Sequence, residues 1–522
     1  MPTVRRLAHE FLDRRGLTTV FGNPGSNELP FLAELPGNFR YVLGLHEGAV
    51  VGMADGYAQV TGRPVLVNLH AAAGSGNAMG ALTNAVYSRS PLVLTAGQQV
   101  RTAIGPEAML ANVDATQLMR PLVGWAGEPS CAADVPRSLA QAVFEAELQR
   151  RPTYLSVPYD DWAAELPETA TLDRQVQRGF TPSAAQLDDL AASVAGAKNP
   201  ALVLGGDIDA TGLFDRAVAL AEHLGLPTWV APSPHRLPFP NRHPLFRGVL
   251  PAGIAPVSAA LTGHDLVLVL GAPVFRYHQH VPGAYLPDGT RLVQVTDDVG
   301  AAARAPMGEA LVADPAPVIE ALLEKVPARR TERTYVENPQ PRTGEKALHP
   351  EQVFAALRDT QAADTRYVVE STSTNSAWWR QMDLRRAGSY FFPAAGGLGF
   401  GLPAAVGVAM GDPDRPVVGV IGDGSANYGI TALWTAAHYR VPVTFVILRN
   451  GVYGALQWFG ELLGTPDVPG TQIPGMDFTA IAAGYGVEAT AVTSEDDLRA
   501  QLKTTPDGPR LIQVDTEPTT PE

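Results

Sequence analysis

The chain has 522 residues, 45% of them apolar and 18% charged, with a formal net charge of −14 and one cysteine, Cys131. This length exceeds a single ordinary core and predicts several domains, while the acidic balance argues against a nucleic acid or an anionic membrane as partner, since either needs a concentrated basic surface. One cysteine excludes an intrachain disulfide and a thiolate metal cluster, which fits a reducing compartment.

The opening stretch, "MPTVRRLAHEFLDRRG", reads as an amphipathic helix of mixed charge without the apolar core of a signal peptide. No stretch approaches the roughly 20 apolar residues of a membrane span, and a cytoplasmic protein is expected. Strand "TTVFG", helix "ELPFLAEL", strand "RYVLGL" and helix "AVVGMADGYAQVTG" follow. Strand "PVLVNLH", helix "NAMGALTNAVYSR", strand "PLVLTAG", helix "VPRSLAQAVFEAELQ" and strand "TYLSVPYD" complete the first block. Near-continuous apolar strands between amphipathic helices indicate a parallel sheet covered on both faces. A second alternation holds strands "PALVLGGDI", "PTWVAP", "DLVLVLGAPV" and "TRLVQVTDD". The polar, proline-bearing "ARRTERTYVENPQPRTGEKALHP" reads as a linker. A third alternation opens with helix "PEQVFAALRD" and holds strands "TRYVVEST", "RPVVGVIGDG", "PVTFVILRN" and "PRLIQVD". The expected architecture is α/β, three consecutive open parallel-sheet domains spanning residues 1–180, 181–330 and 331–522. Ligands of such sheets sit beyond the carboxyl ends of the strands. That rule singles out Ser26, Glu47, His70, Ser371 to Thr374, Asp423, Asn450 and the segment around His278.

The sharpest signal is "VVGVIGDGSANYGITALWTAAHYRVPVTFVILRNGVYG". One strand ends at Asp423 and the next, after a helix, at Asn450, so each delivers an oxygen ligand to the same sheet edge. Flanking glycines let the backbone approach an anion with its N–H groups free. The Asp423 carboxylate, the Asn450 amide oxygen and the Val452 carbonyl are hard ligands suited to Mg²⁺, with Ca²⁺ also compatible. No G-x-G-x-x-G opens a helix here, which disfavours a dinucleotide site. The pattern resembles the thiamine-diphosphate motif, Gly-Asp-Gly followed some two dozen residues later by Asn-Asn. Arg449 stands where the first asparagine of that pair belongs.

Thiamine chemistry requires a carboxyl that bonds the aminopyrimidine ring in a dry site. Glu47 in "YVLGLHEGAVVGMADGYA" follows an apolar strand and heads an apolar helix. Taken alone it reads as a helix-start glutamate favoured by the dipole; the downstream motif makes it the expected acid. In "FFPAAGGLGFGLPAAVG", Leu398 projects between glycines and could wedge a bent cofactor, with the Gly396 carbonyl accepting from the pyrimidine amino group. The corner "FGNPGSNELP" raises Ser26 off a sheet edge.

Beyond these motifs the chain resembles the thiamine-diphosphate-dependent 2-oxo acid decarboxylases, most closely the benzoylformate decarboxylases. The resemblance runs over nearly the whole length, through "VFGNPGSNELPF", "NLHAAAGSGNAMGAL", "VLVLGAPVFRYHQ", "ESTST", "AAGGLGFGLPAA", "GDGSANY" and "YGALQWF". It implies a pyrimidine-binding first domain, a middle domain without a catalytic cofactor and a diphosphate-binding third domain. It implies active sites shared within a homodimer, tetramers built as dimers of dimers, and a small 2-oxo acid as substrate. By the same resemblance Ser26, Glu47, His70 and His278 carry the chemistry; Thr372, Ser373, Gly424, Ser425 and Tyr453 touch thiamine diphosphate; and Asp423, Asn450 and Val452 hold the metal. His280 competes with His278, since chain position does not separate them. Met109, Leu110, Phe392, Ala455, Leu456 and Phe459 could line an apolar pocket for an aryl group, although such residues are more often plain core. The implied reaction is decarboxylation of an aromatic 2-oxo acid, benzoylformate to benzaldehyde and CO₂. Carboligation or another 2-oxo acid is the near alternative. A nucleotide-dependent oxidoreductase using "VLGGDIDATG" and a catalytically dead scaffold are the more distant ones.

Overall fold

A computed structural model describes residues 1–167, 174–329, 334–504 and 507–519. Part of the linker expected over residues 328–350, with the boundary at 330/331, lies outside the described residues. Three six-stranded sheets follow one another along the chain, and every strand pair within them is parallel.

The first sheet contains β1 (Thr19–Gly22), β2 (Arg40–Leu43), β3 (Val65–Leu69), β4 (Leu92–Gln98), β5 (Trp125–Gly127) and β6 (Thr153–Pro158), in the order β2-β1-β3-β4-β6-β5. The second contains β7 (Pro200–Leu204), β8 (Thr228–Val230), β9 (Phe246–Val249), β10 (Leu266–Leu270), β11 (Arg291–Thr296) and β12 (Glu309–Val312), in the order β12-β11-β10-β7-β8-β9. The third contains β13 (Arg366–Glu370), β14 (Tyr390–Phe391), β15 (Val417–Gly422), β16 (Thr444–Arg449), β17 (Glu488–Val492) and β18 (Arg510–Asp515), in the order β14-β13-β15-β16-β18-β17. The first and third sheets thus share one strand order, and the middle sheet has another. The central strands β3, β4, β7, β10 and β13 are buried along their whole length, as strands with helices on both faces must be. Among the described residues no helix is long and apolar enough to cross a membrane.

The first and third domains are fused through two helices, Glu47–Thr61 and Gly401–Gly411. Both are apolar nearly all round, and they meet backbone to backbone. A Cβ on Gly407 would lie 1.9 Å from the Met53 carbonyl oxygen, and one on Gly56 would lie 2.3 Å from the Ala404 carbonyl oxygen. Their side chains belong to one continuous core that runs from Phe21 to Leu511. The middle domain keeps apolar clusters of its own, shares Val230 and Leu237 with a core of the third domain, and also joins the others through charge. The Arg89 guanidinium donates to Asp207 at 2.6 Å and to Asp297 at 2.5 Å. Arg150 lies 3.2 Å from Asp207, and Arg178 pairs with Asp297. Arg236 donates to Asp209 and to the Gln59 carbonyl and packs over the Phe391 ring, so it touches all three domains.

The close helix contact gives a direct test. Gly407→Ala is expected to lower unfolding stability by roughly 1–3 kcal/mol through overpacking, read from urea denaturation. Gly196→Ala, where a Cβ meets open space, is expected not to lower it.

Candidate active site

The corner "FGNPGSNELP" leaves β1 at Gly22 and is organised by Glu28. This carboxylate is buried and accepts from the backbone N–H groups of Gly25 (2.8 Å), Gly97 (2.8 Å) and Ala71 (3.2 Å), and it lies 2.8 Å from His70 Nδ1. His70 is therefore held by Nδ1, which leaves Nε2 for chemistry. Gly25 has a steric reason: its Cβ would fall 2.0 Å from His70 Nδ1. Ala71, directly after His70, is left-handed at φ 42°, which costs about 1 kcal/mol for a non-glycine residue. The Glu28 bond to its N–H offsets part of that cost. Ser26 is exposed beside this cluster, its hydroxyl 3.3 Å from Asn27 Oδ1. Glu28 belongs to no motif in the sequence. Its signal was an acidic residue two positions after Ser26 in an otherwise polar, glycine-bearing corner.

Glu47 is the first residue of the helix Glu47–Thr61 and is buried. Its carboxylate accepts from Asn77 Nδ2 at 3.0 Å and Asn23 Nδ2 at 3.3 Å. Ser26, Glu47 and His70 thus stand at one edge of the first sheet. The helix Ala71–Tyr87 starts from His70 as its N-cap and presents Asn77 two turns later and Asn84 two turns beyond that.

A cavity of about 1060 Å³ opens between the middle and third domains. Thr372, Ser373, Gly396, Leu398, Asp423, Gly424, Ser425, Asn450, Val452 and Tyr453 all line it. His278 lines it as well, with its ring 4.8 Å from that of Phe459 in a T-shaped contact, whereas His280 is not in its wall. Phe392, Ala455, Leu456 and Phe459 form part of the wall. Met109 and Leu110 do not reach it; they stand exposed on a first-domain loop, Met109 at 86% and Leu110 at 37%. Among the described residues, none of the first domain lines the cavity.

At its floor Asp423 Oδ2 accepts from the N–H groups of Asn450 (3.0 Å) and Gly451 (2.7 Å), and Oδ1 accepts from Gly424 N–H (2.8 Å). Burial raises this carboxyl above its ordinary range, and the three N–H groups oppose that rise. Asn450 Oδ1 accepts from Val452 N–H at 3.0 Å. Arg449 turns away from these oxygens. It forms a two-point pair with Asp515 at 2.7 and 2.6 Å and donates to the Met476 carbonyl. Among the described residues no group of three or more His, Cys, Asp or Glu could hold a metal. A cation here would rest on one carboxylate, one amide and one carbonyl, with anionic ligand oxygens completing the shell.

Residues 2–118 match the thiamine pyrophosphate enzyme N-terminal TPP binding domain, residues 187–322 the central domain, and residues 371–514 the C-terminal TPP binding domain. The chain belongs to the thiamine pyrophosphate enzyme family. It is 59% identical to benzoylformate decarboxylase of Pseudomonas aeruginosa, covering 99% of both chains. Among solved structures it is similar to a Rhodococcus jostii thiamine diphosphate-dependent 4-hydroxybenzoylformate decarboxylase, with TM-score 0.97, 57% identity and 99% of both chains covered. Benzoylformate decarboxylase from Polynucleobacter necessarius follows with TM-score 0.95, 36% identity and full coverage of both chains.

The residues present fit the family's cofactor. The donor set is all hard oxygen, as Mg²⁺ requires. The cradle is made by missing side chains, since a Cβ on Gly424 would fall 2.4 Å from the Tyr453 ring. Above the floor, Glu370 ends β13 fully buried and accepts from the N–H groups of Gly399, Phe400 and Gly401. Burial pushes its carboxyl from 4.5 up to about 7, against the lowering effect of those three N–H groups. A raised acid contributes most to stability while protonated, and the contribution is lost as pH rises through the folded value. Wild type is therefore expected to lose melting temperature relative to Glu370→Gln between pH 4.5 and about 7, with no further change above. Calorimetric scans across that range check it, and a difference independent of pH would show that this carboxyl does not titrate there.

Proposed function

We propose that this protein decarboxylates an aromatic 2-oxo acid, converting benzoylformate to benzaldehyde and CO₂, as a thiamine-diphosphate-dependent carboxy-lyase. The observation that carries the reading is the cavity, whose floor has the oxygen donors for a diphosphate-bound metal and whose wall is aromatic and apolar. The relatives with the highest identities named above carry benzoylformate or its 4-hydroxy derivative in their names.

In this reading Asp423, Asn450 and the Val452 carbonyl would hold Mg²⁺, and Thr372, Ser373, Gly396, Gly424, Ser425 and Tyr453 would hold thiamine diphosphate. When bound, that cofactor supplies a carbon nucleophile and an electron sink. Glu47 would be the carboxyl that holds a proton for the aminopyrimidine ring. The Ser26 hydroxyl and His70 Nε2 hold the substrate carboxylate and ketone oxygen, and His70 moves the proton on that oxygen. His278 delivers a proton to the carbon that loses CO₂. Phe392, Ala455, Leu456 and Phe459 receive the aryl group, with Met109 and Leu110 reaching in from a second copy.

A second copy is needed because His70 and the cavity do not meet within one chain. Asn84 touches the cavity loop at Gly397, and His70 lies 14 residues earlier on the same helix, about 21 Å along its axis. The reading is therefore a homodimer in which the Ser26, Glu47 and His70 edge of one chain faces the cavity of the other, paired again into a cytoplasmic homotetramer. Residues 1–180 form the pyrimidine-side domain, 181–330 the middle domain and 331–522 the diphosphate-side domain.

A second substrate reading has an observation of its own. Asn375 and Trp379 line the cavity, while their Oδ1 and Nε1 atoms are closed off from it and lack hydrogen-bond partners. A hydroxyl on the aryl ring could satisfy one of them once that side chain turns its polar atom toward the cavity, and sites with unpaired buried polar groups favour the ligand that pairs them. The named substrate of the Rhodococcus protein differs from benzoylformate by such a hydroxyl.

Purified protein with Mg²⁺ and thiamine diphosphate is expected to release benzaldehyde and CO₂ from benzoylformate. Turnover of pyruvate or phenylpyruvate alone would overturn the substrate assignment. A kcat/KM for 4-hydroxybenzoylformate about tenfold above that for benzoylformate would favour the hydroxyaryl reading. Glu47→Gln is expected to keep cofactor binding and lose roughly 10²–10⁴-fold in kcat. Ser26→Ala should raise KM for the 2-oxo acid and leave thiamine diphosphate bound. Co-assembly of inactive Glu47→Gln and Asp423→Asn chains should recover about a quarter of wild-type activity, because half the random dimers hold one intact shared site. No recovery would refute the shared site.

A further inference from the structure

Leu398 reaches the cavity on a loop that has one backbone bond of its own before that residue, Gly396 N–H to the Pro393 carbonyl at 3.1 Å. Residues 394–400 include Gly396 at φ 74° and Gly399 at φ 98°, neither with a side chain to anchor it. The loop is gripped from outside by one residue of each domain. Asn84 of the first domain, 1% exposed, spends its whole carboxamide there. Its Oδ1 accepts from Ala395 N–H (3.0 Å) and Gly397 N–H (3.3 Å), and its Nδ2 donates to the Gly397 carbonyl (2.8 Å). Glu370 of the third domain accepts from three consecutive N–H groups, Gly399 at 2.8 Å, Phe400 at 3.2 Å and Gly401 at 2.7 Å. Arg276 of the middle domain donates to the Ala394 carbonyl at 2.6 Å while stacked 4.0 Å over the Tyr87 ring.

We propose that Asn84 and Glu370 are positioning residues that clamp the loop on either side of Leu398 and so fix how far that side chain projects into the cavity. The inference rests on the reading above, in which bound thiamine diphosphate bends against Leu398. The chemistry of each clamp is specific. Asn84 faces two donors and one acceptor at once, which a carboxamide can satisfy and a carboxylate cannot. Aspartate there would set a negative oxygen against the Gly397 carbonyl. Glu370 faces donors only, so glutamine would turn an N–H toward an N–H. Space enforces the fit, since a Cβ on Gly397 would come within 3.3 Å of Asn84 Nδ2 and one on Gly401 within 2.8 Å of Glu370 Cβ. The first domain thereby sets part of a site whose wall it does not line.

The test uses full-length Asn84→Ala, Glu370→Gln, Leu398→Ala and the double variant Asn84→Ala/Leu398→Ala. In cofactor-free protein, amide hydrogen exchange of residues 395–401 is expected to rise about tenfold or more in Asn84→Ala, with β13 and β15 unchanged. With Mg²⁺, calorimetric titration should show thiamine diphosphate bound about tenfold more weakly. In turnover, kcat should fall while KM for benzoylformate stays within about twofold. If the clamp acts through Leu398, the double variant loses no more kcat than Leu398→Ala alone. Additive losses, or faster exchange with unchanged kcat and cofactor affinity, would overturn the proposal. Glu370→Gln provides the same readouts should Asn84→Ala fail to fold. Wild-type protein that does not bind thiamine diphosphate would overturn the underlying reading, and the inference with it. In that case the exchange result would still report whether the loop is clamped, which separates the two failures.

Discussion

The contact between the helices Glu47–Thr61 and Gly401–Gly411 is the constraint on which the site depends. It is made of absences, with Gly56 and Gly407 each admitting the opposite backbone. Such contact leaves no slack for rotation, because interiors are packed at crystal density. The two helices also begin at functional points. One starts with Glu47, and the other starts where the Leu398 loop ends. Fixing the helices therefore fixes the acid of one sheet edge and the cavity loop of another in a single step.

The loops above the strand ends share a second device. Glu28, Glu370 and Asp423 are each buried, and each takes three backbone N–H groups. Glycine-rich turns supply close approach but no anchors of their own. A carboxylate with several N–H groups replaces those anchors with charge-assisted bonds. Buried carboxyl groups under glycine turns thus organise the His70 corner, the Leu398 loop and the Asp423 floor alike.

What could be read from the chain follows the same physics. Every strand expected from an apolar run is present, and the five that went unread, β5, β9, β12, β14 and β17, are all at sheet edges. Edge strands bury less: β12 is nearly all exposed, β9 is only partly buried, and β14 has just two residues. Their sequences therefore carry no continuous apolar signal. The helix after His70 begins at Ala71, six residues before the stretch read from "NAMGALTNAVYSR", because "AAAGSG" has no amphipathic period. At the site, the residues after strands β15 and β16 were legible because glycine, aspartate and asparagine have few reasons to interrupt apolar strands. Glu28 and Asn84 were not, since all but one of their partners lie far along the chain. The seven-residue spacing of His70, Asn77 and Asn84 was the one local trace of a shared helix face.

The seam between the first and middle domains has a further consequence. Arg89, Arg150 and Arg178 meet Asp207 and Asp297 in the interior. Buried ion pairs add little net stability, because desolvation offsets their attraction, but an unpartnered member is severely penalised. The seam therefore behaves as a pairing code rather than an adhesive. Its members can be exchanged only as a set, and a middle domain from another source would dock only if it brought the complementary aspartates with it.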